Sequence, residues 1–286
     1  MRTIALCISD THAGFKLGLM NPDVELYDID EMGNVVPFTP NTTPVQRYFW
    51  DLYLKGCRAV EEFANGDPIV VIHFGDATHG MKYPGLLVTT ELADQPIIAV
   101  ANMQPILSLP NVRSFRLAVG TGAHNFEDAN AEKTIINNIK LLYPEVNSEM
   151  IIHGLADIDG VSLEYAHQGP FTGSRHHLIG NVAHQHLRDK MTTELIAGNT
   201  PPRLYGYGHY HEWIWVSETI SVGERDFTST VFVMPSFNFP NLWTTAATRG
   251  KARFIHGIVA LEIIDGKLID YKRFTRTIDR RTKEKI

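Results

Sequence analysis

The sequence predicts an α/β fold, and three observations carry the prediction. Short apolar runs at Thr3 to Ile8, Pro68 to Phe74, Val112 to Val119 and Val161 to Tyr165 have the length and bounding residues of buried strands. Helix-length amphipathic segments separate them, the order expected of right-handed crossover units. Each run ends in polar residues, so active groups should gather at the carboxyl ends of the strands.

Taken in order, the first strand reads Thr3-Ile4-Ala5-Leu6-Cys7-Ile8 and delivers Ser9-Asp10-Thr11-His12. Residues 20–42 read as a surface insertion, a hairpin in which Val24 to Tyr27 and Val35 to Phe38 flank a Met32-Gly33-Asn34 turn. Thr43-Pro44 supplies an N-cap followed by a proline at the first helical position. Val45, Phe49, Leu52, Val60 and Phe63 then trace one helix face until Asn65-Gly66 stops it. The second strand ends in Gly75-Asp76-Ala77-Thr78-His79-Gly80, and a helix over about Glu91 to Leu107 leads to the third. The third strand ends in Gly120-Thr121-Gly122-Ala123-His124. A helix from about Ala131 to Leu142 precedes Val161 to Tyr165, which delivers Ala166-His167. A helix over Leu178 to Ile196 then runs to the Pro201-Pro202 break and Gly206-Tyr207-Gly208-His209-Tyr210-His211. From Thr230 to Phe274 the chain is strand-rich, with a hairpin signal at Asp265-Gly266. No internal repeat and no long linker divides it, so a single domain over 1–286 is expected, with a basic tail over 275–286.

Composition narrows the function by exclusion. The 286 residues carry 26 Lys and Arg against 32 Asp and Glu, a formal charge of −6, so no global positive field would hold a polyanion. Hydrophobic residues at 44% argue against disorder. No apolar run is long enough to span a bilayer. The apolar start ends at Asp10, too soon for a secretory leader, and only Cys7 and Cys57 are present; reduced thiols and a cytoplasmic location are expected. Thirteen histidines prompt the question of metal ligation.

The polar strand ends answer it as a set: Asp10-x-His12, Gly75-Asp76, Gly120 to His124, Ala166-His167 and Gly208-His209-x-His211. Carboxylates and imidazoles together suit Zn²⁺, Mn²⁺ or Fe²⁺, and a bridging carboxylate lets two ions sit roughly 3.5 to 4 Å apart. In this order the motifs resemble those of the calcineurin-like metallophosphoesterase superfamily, D-x-H, G-D, G-N-H-D/E, a lone His and G-H-x-H. The resemblance spans about residue 3 to the mid-230s. It implies a four-layer αββα sandwich of two mixed sheets flanked by helices. It also implies a first metal held by Asp10, His12 and His211, a bridging Asp76, and a second metal held by His167 and His209. His124 would be the general acid for a leaving oxygen, and a water bridging the two ions the nucleophile.

The third motif departs from that pattern. Ala123 stands where the family has an Asn ligand; Thr121, Asn125, a water or nothing could replace it. Asn125 stands where the family has an acid orienting the catalytic His, a role Glu127 or Asp128 could take. Arg175 and His79 are candidate substrate contacts; Arg175 alternatively belongs to a solvated surface loop, and His79 is alternatively a support for a ligand or a solvent-exposed residue. Cys7, His73 and His153 read as packed structural residues and His256 as a strand residue. His184 and His186, two apart on a helix, face different directions. The aromatic group Tyr205, Tyr207, Tyr210, Trp213 and Trp215 is wall and core, or else a stacking surface for a base.

The expected activity is metal-dependent hydrolysis of a phosphate ester, with nucleotides and nucleic acid among the candidate substrates. Two alternatives stand beside it. A lactamase-type zinc hydrolase lacks its H-x-H-x-D-H hallmark here, since His211 is followed by Glu212 and Trp213. A degenerate member would bind metal or nucleic acid without turnover.

Overall fold

In a computed structural model, which describes residues 1–126, 128–170, 180–240 and 252–282, the chain builds two sheets. The six-stranded sheet contains β1 (Arg2–Ile8), β4 (Ile69–His73), β5 (Val112–Ala118) and β6 (Asn147–Ile151) as parallel neighbours. On the other side of β1 lie β12 (Arg253–Ile264), antiparallel to β1, and β13 (Lys267–Asp279), antiparallel to β12. The five-stranded sheet has the order β10 (Ile214–Val222), β11 (Arg225–Val233), β9 (Leu204–Tyr207), β8 (Val161–Ala166) and β7 (Gly154–Ile158). Its inner strands β11, β9 and β8 are parallel and its edges antiparallel. A separate hairpin, β2 (Leu26–Ile29) with β3 (Val35–Phe38), occupies the predicted insertion.

The two-residue period of each strand assigns its side chains to layers. Ile4, Leu6 and Ile8 of β1, with Ile258 and Ala260 of β12, face α1 (Pro44–Ala64), α2 (Asp94–Leu107) and α3 (Asn130–Leu142). Ala5, Cys7, Ile72 and Phe74 face the opposite way, onto Leu163, Leu204 and Phe232 of the second sheet. The outer side of that sheet, with Tyr205, Tyr207, Val231 and Val233, is covered by Ala183, Leu187 and Met191 of α4 (Asn181–Ile196). The layers are therefore helices, sheet, sheet and helix, the αββα sandwich that the resemblance implied.

Helix α1 starts where the sequence places it. Thr43 Oγ1 accepts from the Gln46 amide at 3.1 Å and Gln46 Oε1 accepts from the Thr43 amide at 2.8 Å, a reciprocal cap of the kind that stabilises a helix by about 1 kcal/mol. Asn65 in the left-handed region (φ 48°) ends it.

Four differences from the sequence reading stand out. Strands β6, β7 and β10 lie outside the predicted elements, and β11 begins at Arg225, ahead of the strand-rich region expected from Thr230. β6 and β7 are short edge strands, where half-exposed side chains blur the apolar pattern. Residues 275–279 are not a tail: they end β13, with Thr275 opposite Gly257 and Asp279 opposite Arg253, because the ladder to the long strand β12 continues past Phe274. Lys283 and Lys285 lie outside the described residues. His153 is exposed rather than packed, whereas His73 and His256 are buried.

Cys7 lies between the sheets, where burial pushes its thiol far up, and burial raises Cys57 on α1 to about 12. Trp215 stacks on Tyr271 at 4.2 Å and lies beside Trp213, so this part of the aromatic group packs one sheet against the other. Tyr205 and Tyr207 are buried under α4. Among the described residues no helix is long and apolar enough to cross a membrane.

Candidate metal centre

The loops after β1 and β4 run side by side beyond the sheet. The Asp10 amide donates to the Gly75 carbonyl at 3.0 Å, the His12 amide to the Asp76 carbonyl at 3.1 Å and the Ala13 amide to the Ala77 carbonyl at 2.8 Å. Neither loop is extended. Asp10 (φ 51°), His12 (φ 46°) and Asp76 (φ 49°) all take the left-handed conformation, as do His209 (φ 70°) and His211 (φ 53°) after β9. The Asp10-x-His12 pair thus converges through two left-handed residues and not through strand alternation. Asp and His tolerate this region better than most residues, and such backbone persists where surrounding structure imposes it.

Two clusters result, each with ligand atoms lying within 4.8 Å of one another: Asp10, His12 and His211, and Asp76, His167 and His209. In the first, His211 Nε2 lies 3.1 Å and His12 Nε2 3.9 Å from Asp10 Oδ1. Asp10 Oδ2 accepts from the Ser9 hydroxyl and from the His209 amide, the latter at 3.1 Å, so the backbone of one cluster touches the carboxylate of the other. In the second, His167 Nε2 lies 3.1 Å from Asp76 Oδ2, and Asp76 Oδ1 accepts from the Thr121 amide at 2.7 Å and from its hydroxyl at 3.2 Å. Close approach needs glycines at two points. A Cβ on Gly120 would run into Asp76 Oδ1, and one on Gly208 would lie 2.8 Å from the Phe74 carbonyl and 2.9 Å from Asp10 Oδ2.

Both carboxylates are buried, and among the described residues neither is paired with Lys or Arg. Burial would raise the Asp10 and Asp76 pKa values, but the imidazoles, His211 beside Asp10 and His167 beside Asp76, pull both below the usual carboxylate range. Burial likewise opposes protonation of His167, yet Asp76 holds it up at about 9. Burial drives His12 well below its ordinary value and lowers His209.

Protonated imidazole is one way to neutralise two buried carboxylates; a divalent cation is the other. The nitrogen inventory fits the cation. His167 Nδ1 lies 2.5 Å from the Phe74 carbonyl and so carries a hydrogen, and a cation that displaces the proton from Nε2 would find that lone pair facing Asp76. That Nε2 is out of line for a hydrogen bond, and the buried His12 Nε2 also has no hydrogen-bond partner among the described residues. Two orphaned imidazole nitrogens beside two ionised carboxylates form a donor set suited to a borderline divalent ion. These Asp and His groups can hold metal.

The loop after β5 packs on the loop after β4. The Thr78 hydroxyl donates to the His124 carbonyl at 2.5 Å, and a Cβ on Gly80 would collide with the Ala123 carbonyl. His124 Nδ1 donates to the His79 carbonyl, and its Nε2 lies 3.9 Å from Asp76 Oδ2. The orienting partner expected from Glu127 or Asp128 is therefore a backbone carbonyl. Asp128 is exposed, and Glu127 lies outside the described residues. Of the two side chains weighed as replacements for the missing Asn, Thr121 touches Asp76. The Asn125 amide oxygen is buried without a hydrogen-bond partner among the described residues.

His79 is buried at 3% exposure, with its ring nitrogens directed at Lys82 and His12. Arg175, the other candidate substrate contact, lies outside the described residues. His184 pairs with Glu218 at 2.6 Å and His186 Nε2 lies 3.1 Å from the Tyr207 hydroxyl, each facing its own partner as their spacing on α4 predicts. Gln95 escaped the sequence reading: its side-chain oxygen accepts from the His79 and Gly80 amides at 3.0 and 2.8 Å, and its nitrogen donates to the Gly80 carbonyl. A glutamine in a helix carries no signal of such a role.

No family model matches the chain, and no curated protein matches it. Among solved structures, the NAD nucleotidase NadN of Haemophilus influenzae aligns over 97% of this chain and 49% of its own, with 13% identity and a TM-score of 0.37. The chain thus spans about half the length of that protein. A protein of unknown function from Aquifex aeolicus aligns over 73% of this chain and 80% of its own, with 16% identity and a TM-score of 0.34.

Proposed function

We propose that this protein is a metal-dependent phosphoester hydrolase, a phosphodiesterase or phosphatase, working with two divalent cations. One observation carries the proposal: the adjoining, largely buried clusters Asp10, His12, His211 and Asp76, His167, His209, in which the Nε2 atoms of His12 and His167 have no hydrogen-bond partner among the described residues. In the assignment drawn from the motifs, Asp10, His12 and His211 hold one ion, His167 and His209 the other, and Asp76 serves both. Bound ions of this kind supply charge neutralisation at phosphoryl oxygens and a water acidic enough to act as nucleophile near neutral pH.

The protein's own groups account for the rest. Ser9, the His209 amide and His211 fix the two oxygens of Asp10, while Thr121 fixes Asp76 through both its amide and its hydroxyl. These bonds orient the carboxylates before any ligand arrives, which lowers the reorganisation needed on binding. His124 keeps a hydrogen on Nδ1 through the His79 carbonyl, so any second proton the ring takes up would sit on Nε2, at the side of Asp76. From there it can be given to a leaving oxygen, the general-acid role.

The test is metal content together with turnover. Protein loaded with Mn²⁺, Zn²⁺ or Fe²⁺ should hydrolyse bis(p-nitrophenyl) phosphate or p-nitrophenyl phosphate. Single-stranded DNA, duplex DNA, cyclic nucleotides and phosphopeptides then identify the substrate class. Failure to bind any of these ions removes the proposal. A second reading, binding without turnover, draws on Ala123, which puts a methyl group where the resembled motif has a ligand; metal uptake with no hydrolysis of any substrate would establish it.

A further inference from the structure

The cluster His12, His79 and His124 has ligand atoms within 4.8 Å of one another, yet its hydrogen bonds describe something other than a third ion site. His79 Nε2 lies 3.2 Å from the Lys82 carbonyl, which can only accept, so Nε2 carries the hydrogen. The ring's other neighbours are the face of Phe15, stacked at 3.8 Å and 9°, and the rings of His12 and His124. Among the described residues no carboxylate lies against the ring, and with its hydrogen on Nε2 its Nδ1 is left as a lone pair. His12 Nδ1, 3.2 Å away, must therefore be the donor, which leaves the lone pair of His12 on Nε2, 3.9 Å from Asp10. The backbone of the same residue acts on the other side, where the His79 carbonyl accepts from His124 Nδ1.

We infer that His79 is the positioning residue of this centre, its ring setting the tautomer of His12 and its carbonyl that of His124, so that both imidazoles turn Nε2 toward the buried carboxylates. Its consequence for metal affinity rests on the function proposed above; the tautomer itself does not. His79 is suited to the task because it cannot move: Phe15 holds its ring, Lys82 its Nε2, and Gln95 the amides on either side of its carbonyl. The same hydrogen-bond logic makes the Phe74 carbonyl the orienting group of His167.

Two variants separate positioning from packing. His79→Phe keeps a ring to stack on Phe15 and removes the acceptor; His79→Asn loses the stack and keeps an acceptor atom where Nδ1 stood. Long-range ¹H–¹⁵N correlation of the imidazole nitrogens in metal-free protein should show His12 as the Nδ1–H tautomer in wild type and His79→Asn, and as a mixture or the Nε2–H tautomer in His79→Phe. Binding of Mn²⁺ should weaken about 10- to 100-fold in His79→Phe, the usual effect of losing an outer partner, with substantial recovery in His79→Asn. An unchanged His12 tautomer in folded His79→Phe overturns the inference, and so does a wild-type His12 in the Nε2–H form. If wild type binds no metal, the proposed function fails, while the imidazole spectra still decide this point.

Discussion

The backbone amide of His209 donates to the carboxylate of Asp10 at 3.1 Å, joining residues 199 positions apart. The bond is possible because Gly208 lets the loop after β9 come down onto Ser9 and Asp10. It also makes the two histidines of the last motif arrive in register with the first: His209 joins Asp76 and His167, and His211 joins Asp10 and His12.

Replacing Gly208 with alanine should push these loops apart, since the new methyl group meets the Ser9 hydroxyl, the Phe74 carbonyl and the Asp10 carboxylate. Overpacking of this kind costs about 1–3 kcal/mol. Calorimetric titration should find weaker binding of both ions, while circular dichroism shows the fold retained. Wild-type affinity in Gly208→Ala would mean that the loop has room that the structure denies it.

Asp76→Asn removes the carboxylate shared by the two clusters in the proposed assignment. Bound metal should fall well below two equivalents, and turnover should drop by about 10³-fold or more. His209→Ala should likewise abolish turnover with the fold intact. Wild-type rates in either variant, with metal content verified by mass spectrometry, would remove the assignment.

Thr121 tests what has replaced the missing Asn. Thr121→Val keeps the amide bond to Asp76 Oδ1 and loses the hydroxyl, so Mn²⁺ affinity should fall about 10-fold with little change in melting temperature. Thr121→Ser should behave as wild type. Equal affinities in all three proteins would show that the hydroxyl is a bystander.

His73 gives the fold a pH dependence of its own. The Gly75 amide donates to its Nδ1 at 3.2 Å, so the neutral ring carries its hydrogen on Nε2, 3.1 Å from the Thr11 hydroxyl. Thr11 in turn donates to the Ala77 carbonyl at 3.2 Å, tying both metal-cluster loops to this ring. Burial lowers the His73 pKa from 6.5 to about 4, so between those values the unfolded chain binds more protons than the folded one. Stability contributed by His73 is thus present above pH 6.5 and falls as pH drops toward 4, by up to about 3 kcal/mol. Urea unfolding of metal-free protein across this range should show a steeper loss for wild type than for His73→Gln, and parallel curves would refute the assignment.

Much of the architecture was legible because it obeys short-range rules. The apolar runs of β1 and β4, the Thr43-Pro44 start and Asn65-Gly66 stop of α1, and the Asp265-Gly266 hairpin each depend on a few neighbouring residues. Edge strands β6 and β7 were not legible, because half their side chains face solvent and no period survives. β10 carries apolar residues at Ile214, Val216, Ile220 and Val222, but Glu218 interrupts the alternation on that face.

The same division runs through the candidate metal site. Sequence alone determined which groups are present, two acidic and four imidazole side chains delivered after apolar strands, because residue type and strand punctuation are local properties. Only the tertiary structure decided that Asp10, His12, Asp76, His209 and His211 turn through left-handed backbone, that the His79 carbonyl replaces an acid behind His124, and that the His79 ring stands behind His12. Those choices depend on what each loop meets when two sheets close on each other, and a hydrogen-bond partner 45 or 67 positions away leaves no mark in the residues beside it.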